Sequence, residues 1–507
     1  MLNCDRVYGG LHGKWGLSLS VSKKTCFFCT CEIYYIAYNL IVLLKRRKIM
    51  NNRSFKAVDM TVGEPWKQIL RFTMPMLLGN IAQQLYSTVD SVVVGKYVGD
   101  NALAAVGSAA PIFNLLLVLF RGVSIGATIM VAQYLGARNR EALSWTVGNS
   151  FTLIFIASVV MTIMGVAVAR PMLVLLRTPE SLLDWSASYL RILFIGSLGL
   201  GFYNILSGVL RGLGDAVSAL IYLIVASVVN IGLDILFVAK FNMGVSGVAL
   251  ATVIAQAISA ILCINRLRKM SDVFDFGRKY FKWQGKYAGQ IIRLGLPSGI
   301  TQAIFSMSIV LVQALTNTFG EDLITASVIL QRVDGFAVLP VFSFGSALTT
   351  YAGQNIGAGN KERVEKGSRQ GLIMSLIVSA VIVAVILVYG SSLMRIFTKS
   401  EYLVELSMHL MRILAAGYLL MAIIQCLTGV MRGAGDTVTP MWISVIETFF
   451  LRMPLAYLMV YLTRSESMPL GNQDMIYYSL LIAWVIGAVM SIVLYRFGGW
   501  RKKGLTA

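Results

Sequence analysis

The chain states its plan twice. Gly208-Val209-Leu210-Arg211-Gly212-Leu213-Gly214-Asp215 returns as Gly429-Val430-Met431-Arg432-Gly433-Ala434-Gly435-Asp436, 221 residues on. Gln133-Tyr134-Leu135-Gly136-Ala137-Arg138-Asn139-Arg140-Glu141 returns at the same offset as Gln354-Asn355-Ile356-Gly357-Ala358-Gly359-Asn360-Lys361-Glu362. Arg191-Ile192-Leu193 returns as Arg412-Ile413-Leu414, and Arg71 and Pro75 return as Arg293 and Pro297, one residue further on. Several blocks that hold one register over such a distance mark an internal duplication. Whatever the first half folds into, the second folds into again.

The solvent of both halves is lipid. Hydrophobic residues make up 57% of the 507 and charged residues only 13%, where a soluble domain carries about 25% charged residues. Apolar stretches of about 20 residues recur along the chain, enough to cross the hydrocarbon core as helices. Lipid cannot satisfy backbone N–H and C=O groups, and the alternation of a membrane β-barrel is absent, so the spans are helical. Twelve are predicted. The first half gives 68–95, 102–133, 142–169, 186–209, 217–239 and 245–265; the second gives 290–318, 323–352, 370–390, 404–430, 438–462 and 475–495. Pro75, Pro111, Pro297, Pro340 and Pro454 inside these spans are no objection, because membrane helices accommodate such kinks.

Twelve spans put both termini on one side, and so does the charge. The segment 265–293, the loop 361–369 and the tail from Arg496 are rich in Lys and Arg, and by the positive-inside rule that side is cytoplasmic. These basic loops account for the net charge of +20 without a nucleic-acid partner. An even number of spans per half leaves the repeats in the same orientation. The expected fold is therefore an all-α integral membrane protein, twelve transmembrane helices in two six-helix lobes related by a pseudo-two-fold axis along the membrane normal. The expected organisation is an amino-terminal extension (1–60), a first lobe (61–265), a cytoplasmic basic linker (266–289) and a second lobe (290–507). A monomer in the cell membrane is expected.

Residues 1–49 differ in character. They hold Cys4, Cys26, Cys29 and Cys31, and an apolar run that ends in Lys45-Arg46-Arg47-Lys48. An extra helix, a cysteine site and a signal peptide each fit less well than a start at Met50 or Met60. Cys263 and Cys426 fall in spans and read as packing residues.

An ionisable group at membrane depth costs at least ~2.5–3.5 kcal/mol, so each one is a candidate for function. In the first half these are Asp90, Asn230, Asp234 and Thr252. Asn230 and Asp234 are four residues apart on one helix face. Two carboxylates with neutral oxygens suit Na⁺, and equally suit proton exchange, because like charges in low dielectric repel. The same residues would also serve as caps and bridges near a membrane surface, and spacing does not separate the two. The duplication does not repeat this set: the matching positions fall near Val312, Leu451 and Leu455. The second half instead carries Gln331, Arg332 and Asp334 in span eight, and Glu447 and Arg452 in span eleven. Gln331, Asp334 and Glu447 are a candidate second polar site; Arg332 with Asp334, or Glu447 with Arg452, would be neutralising pairs. Gln83, Tyr86, Gln302 and Met307 are candidates for a substrate cavity, since Met and aromatic surfaces adapt to varied ligands, although such residues also pack ordinary membrane helices. No phosphate-binding Gly-x-x-x-x-Gly-Lys-Ser/Thr loop, Ser-His-Asp set or cluster of metal ligands is present in the sequence, so no enzyme activity and no cofactor is expected; the only metal expected is Na⁺ at the first-half set.

Taken together, the Pro-bearing first span with Val89-Asp90 downstream, the Gln133…Gly136-Ala137 and Gln354…Gly357-Ala358 turns, the paired Arg-Gly-x-Gly-Asp turns and Gly247…Ala251-Thr252 resemble the multidrug and toxin extrusion (MATE) family over residues 60–500. The resemblance implies a V-shaped two-lobed exporter driven by H⁺ or Na⁺. In its DinF-like and related bacterial branches, a span-one Asp, a span-five Asn and Asp and a span-six Thr form a cation site. Those positions match Asp90, Asn230, Asp234 and Thr252. The NorM-like branch places a Glu in span seven, where this chain reads Phe305-Ser306. The implied function is export of amphipathic, often cationic, small molecules by alternating access. The alternative is a lipid-linked precursor flippase of the same superfamily, for which a cationic central cavity would be expected.

Overall fold

The computed structural model describes residues 57–504, Arg177 and Ser467 excepted. The reading of residues 1–49 lies outside the described residues. Within them the chain forms twelve helical segments. The first half holds α1 (Pro65–Tyr97), α2 (Asp100–Gly136), α3 (Arg140–Leu175), α4 with α5 (Glu180–Ile195, Ser197–Gly212), α6 (Ala216–Asp234) and α7 (Gly244–Arg268). The second holds α8 (Gly285–Thr316), α9 with α10 (Glu321–Ala337, Leu339–Gly357), α11 (Lys361–Met394), α12 with α13 (Glu401–Ala415, Gly417–Gly433), α14 with α15 (Val438–Val445, Met453–Leu462) and α16 (Met475–Phe497). Among the described residues, eight segments are each long and apolar enough to cross a membrane, and the bent pairs α4–α5 and α12–α13 make ten. The remaining two are α1 and α2, of 33 and 37 residues. The protein is thus a multi-pass membrane protein with six segments in each half. Apolar side chains turned outward, such as Ile163, Leu175 and Val388, face lipid rather than core.

Helix ends overrun the expected spans because hydropathy marks only the stretch that lipid covers. α11 begins at Lys361, with polar turns ahead of residue 370. The two bent segments also match each other: α4 and α5 meet at 54°, α12 and α13 at 46°. Span five ends in a π-helical turn, Ile235–Lys240, and span eleven contains another, Ile446–Arg452.

The duplicated motifs are helix stop-and-start signals. In Arg-Gly-x-Gly-Asp, Gly214 and Gly435 take φ of 84° and 93°, the left-handed conformation that ends a helix and favours glycine. The Asp that follows caps the next helix: Asp215 Oδ1 accepts from Ser218 N at 3.0 Å, and Asp436 Oδ1 from Thr439 N at 3.2 Å. Each cap is also an ion pair, Asp215 with Arg266 at 2.7 Å and Asp436 with Lys503 at 3.0 Å. In the other motif Asn139 and Asn360 cap α3 and α11, with Glu141 and Glu362 in the favourable first turn.

The two halves meet backbone to backbone. Gly122 and Gly126 of α2 lie against Gly295 and Ile291 of α8; a Cβ on Gly122 would sit 2.9 Å from Gly295 O, and one on Gly126 would overlap Ile291 O. At the ends of α2 and α10, a Cβ on Gly136 would overlap Gln354 O and one on Gly357 would overlap Gln133 O. Small residues permit this approach, which is how membrane helices gain dispersion contact without a hydrophobic drive. Gln133 Nε2 donates to Gly433 O at 2.8 Å, and Gln354 Nε2 to Gly212 O at 3.2 Å, so each side chain crosses into the opposite half.

The segment between α7 and α8 is folded onto α3. Tyr280 meets Trp145 edge-on at 5.1 Å, and Phe281 meets Phe151 at 5.3 Å and Phe276 at 5.2 Å. Asn149 Oδ1 accepts from Gln284 N at 2.8 Å, and Thr152 Oγ1 donates to Phe281 O at 2.7 Å. The hydrogen-bonded Arg140 guanidinium beside the exposed Asp275 holds that carboxyl below the usual carboxylate range. Arg278, Lys279, Lys282 and Lys286 are left exposed.

The glycine contacts predict a contrast. Gly126→Ala forces α2 away from α8 and is expected to cost about 1–3 kcal/mol by overpacking. Gly289→Ala, which meets nothing within 4 Å, is expected to be neutral or to stabilise by up to about 1 kcal/mol. Thermal unfolding of the two variants in detergent checks this; equal midpoints would contradict the close approach.

Candidate functional site

Four elements of the first half bring the expected residues together. Asn230 and Asp234 lie one turn apart at the end of α6, both fully buried. Thr252 comes from α7, where its hydroxyl accepts from Asn230 Nδ2 at 3.4 Å and lies 3.4 Å from Tyr86 Oη of α1. Asp90, one turn beyond Tyr86, presents its carboxyl directly to that of Asp234. α4 adds Tyr189, buried and within electrostatic range of Asp90, Tyr86 and Asp234.

Hydrogen bonding leaves this cluster incomplete. Asp90 Oδ1, Asn230 Oδ1 and both Asp234 carboxylate oxygens are buried without a partner. Such groups are costly and rarely left so. Two carboxylates and an amide oxygen, lone pairs turned on one another, form a donor set for a hard cation or a shared proton. The residues present therefore fit the expected H⁺ or Na⁺. Among the described residues no group of three or more His, Cys, Asp or Glu gathers as a metal centre.

The second half builds a different cluster. Asp334 Oδ1 accepts from Tyr418 Oη at 2.7 Å. Glu447, at the π-helical turn, lies beside Gly487, whose missing Cβ leaves room: one built there would stand 2.7 Å from Glu447 Oε2. Arg452 is within electrostatic range of both Glu447 and Asp334, and its Nη1 donates to Ser308 Oγ at 3.3 Å. Its Nε is buried without a partner. Neither expected neutralising pair closes to ion-pair distance among the described residues. Arg332 is exposed, because residues two apart on a helix point to nearly opposite sides. Gln331 is exposed as well and donates to Gln313 at 3.5 Å.

The candidate cavity residues divide. Tyr86 belongs to the first-half cluster, and with Gln83, Ser227 and Gln256 it borders a small cleft. Met307 is exposed and Gln302 partly buried on α8.

The MatE family model matches residues 75–236 and again residues 297–458, one match in each half. The chain belongs to the MATE family of efflux transporters. It is 29% identical over 448 residues to the probable multidrug resistance protein YoeA of Bacillus subtilis, covering 87% of this chain and 95% of that one. It is 28% identical over 450 residues to YpnP of the same organism, also named a probable multidrug resistance protein, covering 89% and 99%. A solved structure of a MOP superfamily transporter from Pyrococcus furiosus superposes with a TM-score of 0.81 at 24% identity, covering 88% of this chain and 98% of that one. As in other MATE proteins, the fold is twelve transmembrane helices in two six-helix lobes.

Three residues of this MATE protein escaped sequence reading. Tyr189 carries no charge to flag it, and only its spacing from Ser186 and Leu193 on the buried face of α4 marks it as inward. Tyr418 and Gly487 acquire meaning only from the carboxylates beside them.

The second-lobe cluster predicts a non-additive result. Arg452→Met leaves Glu447 and Asp334 without the guanidinium within their electrostatic range and is expected to lower the unfolding midpoint. Adding Glu447→Gln removes one of the two charges and is expected to recover part of the loss. Thermal unfolding of the single and double variants tests this; simple additivity would show that the groups do not interact.

Proposed function

We propose that this MATE protein exports amphipathic, often cationic, small molecules in exchange for H⁺ or Na⁺ by alternating access, with Asp90 and Asp234 carrying the coupling. The observation that bears most weight is the set of buried, unpartnered oxygens where α1 and α6 meet. The names of the relatives, multidrug resistance proteins, support the substrate class.

Coupling follows from electrostatics. Two carboxylates in a dry lobe repel strongly when both are ionised, because water no longer screens them. A proton or Na⁺ between them relieves the repulsion and supplies the missing partner for their lone pairs. Asn230 and Thr252 add neutral oxygens, and Tyr86 ties the span-one residues to α7. Since α1, α4, α6 and α7 all contribute, occupancy alters the packing of the whole lobe. An ion that binds one packing better than another shifts the protein toward it, and substrate favouring the other packing then competes with the ion. The cluster around Asp334, Glu447 and Arg452 contains its own cation, so it is proposed as a second-lobe polar site that contributes to substrate contact rather than to ion exchange.

Asp90→Asn and Asp234→Asn are each expected to abolish gradient-driven efflux in proteoliposomes while leaving the protein folded and inserted. Asp334→Asn is expected to reduce it less. Imposed H⁺ and Na⁺ gradients, applied separately, identify the ion; full gradient-driven transport by the Asp90→Asn, Asp234→Asn double variant would end the proposal.

The orientation proposed is termini inside, in the cell membrane. Cysteines placed at Asn101 and Gln473 are expected to react with an impermeant thiol reagent added outside intact cells, and one at Lys361 only after permeabilisation. The reverse pattern would invert the topology.

A further inference from the structure

We infer that Gln133 and Gln354, together with the Met60 backbone, form a reciprocal latch that holds the two lobes shut at their basic end and must open in each transport cycle. The inference rests on the alternating-access reading above. It concerns residues remote in sequence and chemistry from the ion cluster.

The two glutamines are repeat equivalents and perform the same act in opposite directions. Each leaves its own lobe to donate to the last residue of a helix in the other: Gln133 to Gly433 O and Gln354 to Gly212 O. Those carbonyls belong to helix C-termini, where the backbone lacks an intrahelical partner. Both side chains are buried, at 0% and 1% exposure, and Gly136 and Gly357 let the α2 and α10 backbones touch beside them.

The residues ahead of α1 are threaded into the same place. Val58 N donates to Gly214 O of the first lobe at 3.0 Å. Two residues on, Met60 N donates to Gln354 Oε1 at 2.9 Å, and Met60 O accepts from Asn355 Nδ2 at 3.1 Å and from the Arg363 guanidinium at 3.2 Å. Residues 58–60 therefore bridge the lobes, and separation at this end must break one set of these bonds.

The chemistry suits a reversible closure. Apolar contact is present at this end, where Met60, Ile69 and Phe72 cluster with Phe344, Leu348 and Tyr351, and parting exposes its area. The amide side chains on backbone carbonyls add bonds that exchange for water, and each such exchange is nearly balanced. The reciprocal arrangement also makes release concerted, since the movement that frees Gln133 from Gly433 frees Gln354 from Gly212. Without the amides the closed state keeps its glycine contact but loses the polar hold, so the open form becomes more populated.

A reporter already lies between the lobes. Ser343 of α10 is fully buried and accepts from Asn80 Nδ2 of α1 at 3.0 Å. In full-length protein with its native cysteines replaced, Ser343→Cys is labelled by a small thiol reagent presented to the basic face of oriented vesicles. Gln133→Met with Gln354→Met, which removes the amides at similar volume, is expected to speed that labelling about tenfold. Labelling of Ala102→Cys, buried at the opposite end of the first lobe, by a membrane-permeant thiol reagent is expected to be unaffected, whereas general loosening would raise both. Unchanged Ser343→Cys labelling in the double variant, while substrate still alters labelling in the parent, overturns the latch and leaves alternating access standing. Labelling that responds to neither substrate nor variant overturns both. Independently, joining Met60→Cys to Asn355→Cys with a short, cleavable thiol crosslinker is expected to stop transport, and cleavage to restore it. Transport at the full rate by the crosslinked protein also overturns the latch.

Discussion

The contact on which the rest of this structure depends is the glycine-lined meeting of α2 with α8 and α10. Lipid offers no hydrophobic drive for helices to associate, so the lobes stay together through close backbone approach and a few polar bonds. Gly122, Gly126 and Gly295 supply the approach along the helices, and Gly136 with Gly357 supplies it at the ends. Because Gly136 and Gly357 are paired positions of the two repeats, the duplication that began as a sequence pattern becomes a two-fold contact at the helix ends. Buried apolar residues gather around α2, α3 and α5 with α8 packed among them, and around α9, α12, α13 and α16, while a third cluster spans both halves.

On that common frame the lobes have diverged electrostatically. The first carries two carboxylates with no cation among the described residues that act on them. The second carries two carboxylates and the guanidinium of Arg452, within range of both but paired with neither. The first arrangement is incomplete without something brought from outside, and the second is nearly self-contained. The π-helical turns fit this picture. Both lie in the corresponding span of their lobe, one directly after Asp234 and the other holding Glu447, and such turns tend to occur where a helix departs from regular packing for function.

The fold was legible because membrane helices advertise themselves. Composition, the positive loops and the repeated stop signals define twelve segments with almost no help from tertiary contact. The Asn230 and Asp234 pair was legible for a related reason, since a spacing of four on one helix fixes a shared face. What could not be read was whatever depends on a second helix. The expected Arg332 partnership with Asp334 fails on spacing alone, but the group that does meet Asp334, Tyr418 of α13, is not visible from α9. Tyr189 joins the acidic cluster from α4, and its own segment marks it only as inward, not as a neighbour of Asp90 and Asp234. Gln133 and Gln354 were read as parts of turns, and the turns are there, but their amides act across the lobe boundary, which no single-helix periodicity encodes.

The segment joining the lobes has a mechanical consequence. A loose connection would act as a leash, limiting distance and nothing else. Here Tyr280 and Phe281 are packed into the aromatic face of α3, and Asn149 holds the backbone of Gln284, immediately before α8 begins. The first lobe thereby grips the foot of the second lobe's first helix. α8 therefore starts from a fixed place on the first lobe, so the joint between the lobes holds an orientation as well as a distance.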